Sequence, residues 1–321
     1  MKMIKNRIML FVVICLSFSL FQCTQKESLP TVGIVQLLEN PQLDQGRFGV
    51  VDALKKAGFV DGKNIRIDFQ NAQGDLPTID MILRKFVGEE VKLIVTVSSP
   101  CLISACNQVK DIPVVYTIAY QPEILGVKSV PPKIIGVYDP LETDRIVQLM
   151  RKLIPGLRRV GIPWNPSEMN ARLAVESMKK TLARNQIDVV EIIINGTSEV
   201  YQAAEALASE KVEAMIACSD NSVYAGIGSL VKVGETNRIP IFVLEPTIVK
   251  DGACLGLGID YYDWGLASGE LAVRILKGES ADNLSDIILE KKKLYLNLTH
   301  GKAQGLDFPP DLIKSADQAI P

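Results

Sequence analysis

The sequence predicts an α/β protein. It should form two doubly wound parallel-sheet, Rossmann-like domains joined by a three-strand hinge, with a cleft between them. Three observations predict this. Short apolar runs alternate with amphipathic stretches, the pattern of βαβ units. Part-way along, the alternation begins again with the same order of elements and no repeated sequence. After the second series the chain continues with too few elements for a third domain, so it crosses back to the first and returns.

In the first series the strands are TVGIVQL (31–37), IRIDF (65–69), KLIVTV (92–97) and PVVYTI (113–118). Leu43 to Gly58, Leu76 to Gly88 and Cys101 to Val109 are helical, and Gly58 and Gly88 stand as C-cap glycines. KIIGVYDPLE (133–142) carries the first crossover, at 136–140, before a helix from Thr143 to Ile154. In the second series RRVGIPW (158–164), VVEIII (189–194), EAMIAC (213–218) and PIFVL (240–244) are strands. Ser167 to Asn185, Ser198 to Glu210 and Ser222 to Thr236 are helices, with Gly226 and Gly228 as packing positions. LGLGIDYYDWG (255–265) reads as an extended run leading to a helix from Leu266 to Lys277, and IILEKKKLYLNL (287–298) as one strand. The crossings then fall at 136–140, near 258–262 and near 292–297. The first lobe is 31–137 plus about 262–290, and the second 138–261 plus about 291–321.

Lys2, Lys5 and Arg7 precede an apolar run from Ile8 that continues to Phe21, the layout of a secretory signal. Leu20-Phe21-Gln22-Cys23 resembles a bacterial lipobox, although Phe21 and Gln22 are bulkier than usual there. Residues 1–23 are therefore expected to be a signal peptide with Cys23 as the lipidated residue, residues 24–30 a polar tether, and the mature chain extracytoplasmic.

A formal net charge of −2, without a basic stripe, argues against a nucleic-acid partner. The single histidine, His300, excludes a multi-histidine metal centre, and no GxGxxG or Walker lysine loop follows a strand, so no cofactor is expected. Cys101, Cys106, Cys218 and Cys254 fit no metal spacing and read as small apolar residues, with nothing to indicate a Cys101–Cys106 disulfide.

Ligands of open α/β sheets bind outside the carboxyl ends of the strands. The stretch VGIPWNPSEMN (160–170) ends a strand and opens a helix. It brings an aromatic face, amides, a carboxylate and free helix N–H groups to that point through Trp164, Asn165, Glu168 and Asn170. The competing reading buries Trp164 and leaves Ser167 as a helix cap. Ser98 and Ser99 precede a helix whose N–H groups suit a carboxylate, unless Ser99 only caps it. Glu168, Asp220 with Asn221, and Glu245 follow strands of the second series and are candidates for pairing with an ammonium group, although Asp220 also suits a helix cap. Trp164, Tyr116, Tyr120 and Tyr261 could supply an aromatic wall, and Gln36 ends the first strand. Asp139 and Asp260 read as hinge residues.

In order and spacing, GIVQ and NPQLDQGRFG (within 33–49), AGFVDGKNIRIDFQNAQGD (57–75), NPSEMN (165–170), SDNSV (219–223), GIDYYDWG (258–265), ILKGESADNL and LYLNLTHGKAQGL together resemble the lipoprotein substrate-binding components of ABC transporters. The resemblance is to the type I periplasmic-binding-protein fold, and in particular to the tryptophan/tyrosine-binding group. It covers nearly all of the mature chain. Gln121-Pro122 and Glu245 depart from it, since the family usually has aspartate at both places. The resemblance implies a monomeric, non-enzymatic receptor that closes on a small amino-acid-like ligand. It also implies that both lobes are presented to a permease and its ATPase. Two further readings use the same residues. Cys101 and Cys218 follow equivalent strands, as in racemases that use facing cysteines, though such enzymes are cytoplasmic. A sensor docking on a membrane signalling protein would keep the same cleft.

Overall fold

The computed structural model describes residues 29–321; the leader and Cys23 lie outside the described residues. Two sheets organise the chain. The first contains β1 (Thr31–Gln36), β2 (Arg66–Asn71), β3 (Leu93–Val97), β4 (Val114–Thr117), β5 (Ile134–Tyr138) and β11 (Ile287–Ile288), in the order β11-β5-β4-β3-β1-β2 and all parallel. The second contains β6 (Arg159–Trp164), β7 (Asp188–Ile193), β8 (Ala214–Ala217), β9 (Ile241–Val243), β10 (Leu255–Gly258), β12 (Lys293–Asn297) and β13 (Gln318–Ile320), in the order β13-β12-β10-β9-β8-β6-β7. Only the β10–β12 pair is antiparallel there. β3 and β8 are buried along their whole length, as parallel strands covered on both faces must be.

In the first lobe α1 (Pro41–Lys56), α2 (Leu76–Gly88) and α3 (Ser99–Gln108) connect the strands. α1 is capped by Asn40, whose Oδ1 accepts from the Leu43 amide at 2.7 Å. Gly58 takes the left-handed conformation that ends this helix, at φ +92°. Gly88 does not. It stays helical, and Glu90 makes the left-handed turn at φ +51°. In the second lobe α4 (Asp144–Leu153), α5 (Met169–Arg184) and α6 (Val200–Ser209) are single helices. The predicted 222–236 helix is split at Gly226 into α7 (Asn221–Ala225) and α8 (Ile227–Asn237). A Cβ on Gly226 would sit 2.7 Å from Val200 Cγ2, so this glycine is a close-packing position. Gly228 is not, with nothing within 4 Å of its ideal Cβ. α10 (Leu298–Ala303) and α11 (Pro310–Ser315) complete the second lobe.

α9 (Tyr261–Leu276) belongs to the first lobe although it follows β10 of the second. Asp260 caps it through the Tyr262 amide at 3.0 Å, so the helix starts five residues before the Leu266 that the apolar pattern suggested. It lies on α1 at backbone contact. A Cβ on Gly265 would fall 1.8 Å from the Gly46 carbonyl oxygen, and one on Gly49 would fall 2.3 Å from that of Tyr262. The stretch 287–298 is also two strands rather than one: β11 joins the first sheet and β12 the second. The third crossing is therefore 289–292, slightly before the position expected from the sequence.

Gly265→Ala and Gly49→Ala should each lower stability by about 1–3 kcal/mol, because backbone on the facing helix cannot give way. Gly228→Ala should leave stability unchanged or raise it by up to about 1 kcal/mol. Urea unfolding midpoints of the three variants check this.

Candidate functional site

A cavity of about 440 Å³, counting its open mouth, lies between the lobes at the carboxyl ends of the strands. From the first lobe Ser99 enters it at the start of α3, and Ile118, Ala119 and Tyr120 after β4. From the second come Asn170 at the start of α5, Ser219 and Asn221 after β8, and Leu244 after β9. Asp139 reaches it from the first crossing, Ile259 from the second, and Tyr261 and Trp264 from the first turn of α9. Three residues at the strand ends around it, Ser98, Ile118 and Ser219, hold left-handed backbone at φ +97°, +52° and +35°. Backbone strain of this kind in non-glycine residues clusters at binding sites.

Ser99, Tyr120, Asn170, Asn221 and Tyr261 line the cavity, and the other candidates do not. Gln36 is buried within the first lobe, where it donates to Leu38 O and Asp44 and accepts from Arg47. Ser98 turns its hydroxyl to Cys101 Sγ, and Tyr116 is sealed in β4, with a Cβ at Gly136 only 2.4 Å from its ring. Trp164 packs on the core of the second lobe, its Nε1 buried without an acceptor. Asn165 spends its side chain on Ser222, Ser167 and Asn195.

None of the three second-lobe carboxylates lines the cavity, although Glu245 Oε1 is buried without a partner. Glu168 accepts from Asn170 Nδ2, Asn221 N, Asn221 Nδ2, Ser222 N and Ser222 Oγ. Asp220 caps α7 through the Val223 amide and accepts from the Asn165 amide at 2.6 Å. Burial and the neighbouring Glu168 carboxylate push its pKa upward. Glu245 caps the 3-10 turn Pro246–Asp251 through Ile248 N and Thr247, and burial pushes it up to about 7. These carboxylates hold the loops, and two of the residues that Glu168 holds, Asn170 and Asn221, line the cavity.

The carboxylate that does line the cavity is Asp139, read from the sequence only as a hinge residue. Its Oδ1 is buried, lies 3.3 Å from Lys292 Nζ and accepts no hydrogen bond. Burial raises its pKa to about 6, against the pull of Lys292. Asn170 Oδ1 is a second unpartnered acceptor, since Asn170 Nδ2 is fixed on Ser219 O at 2.7 Å. Trp264 packs on the core of the first lobe and is also the tryptophan of the cavity. Its indole donates to Val137 O at 2.7 Å, and its ring meets Tyr261 edge-on at 5.8 Å and 88°. The Asp260 cap was the available signal: it starts α9 early enough to put positions 261 and 264 on one helix face.

The four cysteines are free and buried. Cys101 and Cys218 do not line the cavity, and burial raises both thiols, Cys101 to about 12, which opposes an acid–base pair made from them. Among the described residues no His, Cys, Asp and Glu cluster could hold a metal ion, and no helix is long and apolar enough to cross a membrane.

Residues 31–320 match the family model described as ABC transporter substrate binding protein. The chain belongs to that family. Members are extracytoplasmic solute receptors with two α/β lobes around a ligand cleft. A tyrosine-binding protein of Clostridioides difficile is 36% identical over 278 residues, covering 85% of this chain and 80% of the relative. A Vibrio cholerae conserved domain protein superposes with TM-score 0.86 at 28% identity, over 91% of this chain and 100% of that one. A Streptococcus pneumoniae domain in complex with L-Trp gives 0.83 at 24% identity, over the same shares. A ligand-free, open substrate-binding protein of Clostridium difficile gives only 0.66 at 33% identity, over 91% and 99%.

Glu168→Gln puts an amide N–H against donors that the carboxylate now accepts. It should cost about 1–3 kcal/mol of stability per group left unpaired and weaken ligand binding by releasing Asn170 and Asn221. Thermal melts with binding titrations measure both; a variant unchanged in both would remove the positioning role.

Proposed function

We propose that this receptor binds a small aromatic or hydrophobic amino acid, delivers it to an ABC permease and ATPase, and is held at the membrane by a lipid on Cys23. The observation that carries the ligand class is the cavity's make-up. Its one charged lining residue is Asp139, Asn170 Oδ1 is unpartnered, and its walls are Trp264, Tyr261, Tyr120, Ile118, Leu244 and Ile259. The Asp139 carboxylate and the unpartnered Asn170 Oδ1 suit an ammonium group, and the aromatic walls suit a flat side chain. The N-terminus of α3 at Ser99 suits the α-carboxylate. The tyrosine-binding relative supports the same class.

The form described is the closed one. Met169 and Leu173 of the second lobe pack on the core of the first, and Gln42 Nε2 bonds Asp251 Oδ2 across the lobes at 2.9 Å. The better superposition on the L-Trp complex than on the more similar but open protein agrees with this. We take the lobes as 31–137 with about 262–290 and 138–261 with about 291–321, the exact joins lying within the crossings, a division supported by separate sheets and separate hydrophobic clusters. The receptor acts as a monomer on this reading.

L-tyrosine or L-tryptophan should bind with a change in tryptophan emission, and glucose should not. Trp264→Phe should abolish that change and weaken binding about tenfold at most, whereas Trp164→Phe should preserve it. Asp139→Asn should cost more, about 2–5 kcal/mol. Calorimetry and fluorescence titration decide; tight binding by Asp139→Asn would sink the ammonium assignment.

The anchor is tested separately. Cys23→Ala should release the protein from the membrane fraction or leave an uncleaved precursor, seen by fractionation and intact-mass measurement. Unchanged maturation and membrane retention would rule out lipidation there.

A further inference from the structure

We propose that Lys292, a hinge residue that does not line the cavity, sets the receptor's affinity by keeping Asp139 charged. This rests on Asp139 as the partner of the ligand's ammonium group. Lys292 sits on the third crossing, with a side chain only 8% exposed. Its Nζ lies 3.3 Å from Asp139 Oδ1 and 3.8 Å from Glu142 Oε2, and donates to Pro140 O at 3.2 Å. A nearly buried cation is thus aimed from one crossing onto the backbone and carboxylate of another.

The titratable and charged groups facing Asp139 are Lys292 from the third crossing, Glu142 from its own segment, Tyr120 from the loop after β4, and Tyr261 from α9. Lys292 is the one cation among them. The adjacent Lys293 turns away, to Asp263 at 2.6 Å and Asp260 at 3.3 Å. A buried carboxyl takes up a proton unless a cation opposes this. Asp139 stands at that balance, raised by burial to about 6 while Lys292 pulls it down.

The sign follows. The ligand's ammonium group pairs with the ionised carboxylate, so affinity is full well above pH 6, about halved near it, and falls toward tenfold per pH unit below it. Without Lys292, burial and Glu142 act unopposed and the midpoint moves upward. Affinity at pH 7 then drops severalfold and returns on the alkaline side.

The test is calorimetry of L-tyrosine between about pH 5 and 8.5, with the Asp139 carboxyl carbon followed by NMR in the ligand-free protein. Lys292→Met should shift both midpoints upward, Lys292→Arg should stay near wild type, and Lys293→Met should not move them. Asp139→Asn should bind weakly, with no midpoint in this range. Unshifted midpoints in Lys292→Met, or in Lys292→Gln should the first variant not fold, overturn the inference and leave the site intact. Tight binding by Asp139→Asn overturns the reading of the site itself.

Discussion

The contact of α9 with α1 is the constraint on which the rest depends. Gly46, Gly49, Gly265 and Gly269 let the two helices meet at backbone distance. Because α9 follows β10 of the second lobe, this contact draws the chain back to the first lobe after the second is built. β11 then closes the edge of the first sheet, and the chain must cross again to place β12 in the second. Three crossings rather than one follow from a single helix docking. The docking also delivers Tyr261 and Trp264 to the cleft, since the first turn of α9 stands where the second crossing ends.

The crossings are joined by charge as well as by chain. Lys292 on the third crossing and Lys293 at the start of β12 reach Asp139 on the first and Asp260 on the second, and Tyr295 adds a hydroxyl to Asp260 at 3.3 Å. Such pairs contribute less than their Coulomb attraction suggests, because partly buried ions lose hydration. Their value lies in geometry: they hold the crossings side by side while leaving backbone torsions free to turn, as hinge closure requires. Asp139 belongs to both the hinge and the cavity, so its charge is felt in both places.

Much of the fold was legible in the sequence. Parallel strands buried on both faces leave continuous apolar runs, and all eight strands of the two series were found within a residue or two. The return to the first lobe was legible from leftover elements. The helix boundary at α9 was not, because the apolar period starts at Leu266 while the cap lies at Asp260. Trp264 therefore did not read as a cleft residue, although it lines the cavity while packing on the first lobe. The site was half legible for a related reason. Strand ends identify which residues are near a cleft, and Ser99, Tyr120, Asn170, Asn221 and Tyr261 are there. Spacing does not say which carboxylates are already engaged by loop donors, as Glu168 and Asp220 are on both oxygens and Glu245 is on one. Nor does it mark Asp139, whose place in the cavity depends on how the lobes meet.

The engaged carboxylates still bear on function. Glu168 is nearly buried, and removing an ion from water costs several kcal/mol before its partners offset it. Five donors from three residues supply that offset, and in doing so they fix those residues. Asn170 can turn only its Oδ1 to the cavity, because its Nδ2 is held by Ser219 O and Glu168. Asn221 is held at both its backbone and its side-chain nitrogen. A loop after β8 with strained backbone at Ser219 would otherwise relax. The buried charge therefore keeps Asn170 and Asn221 fixed at the cavity wall, and a ligand that meets a site already ordered loses less of its binding energy to ordering it.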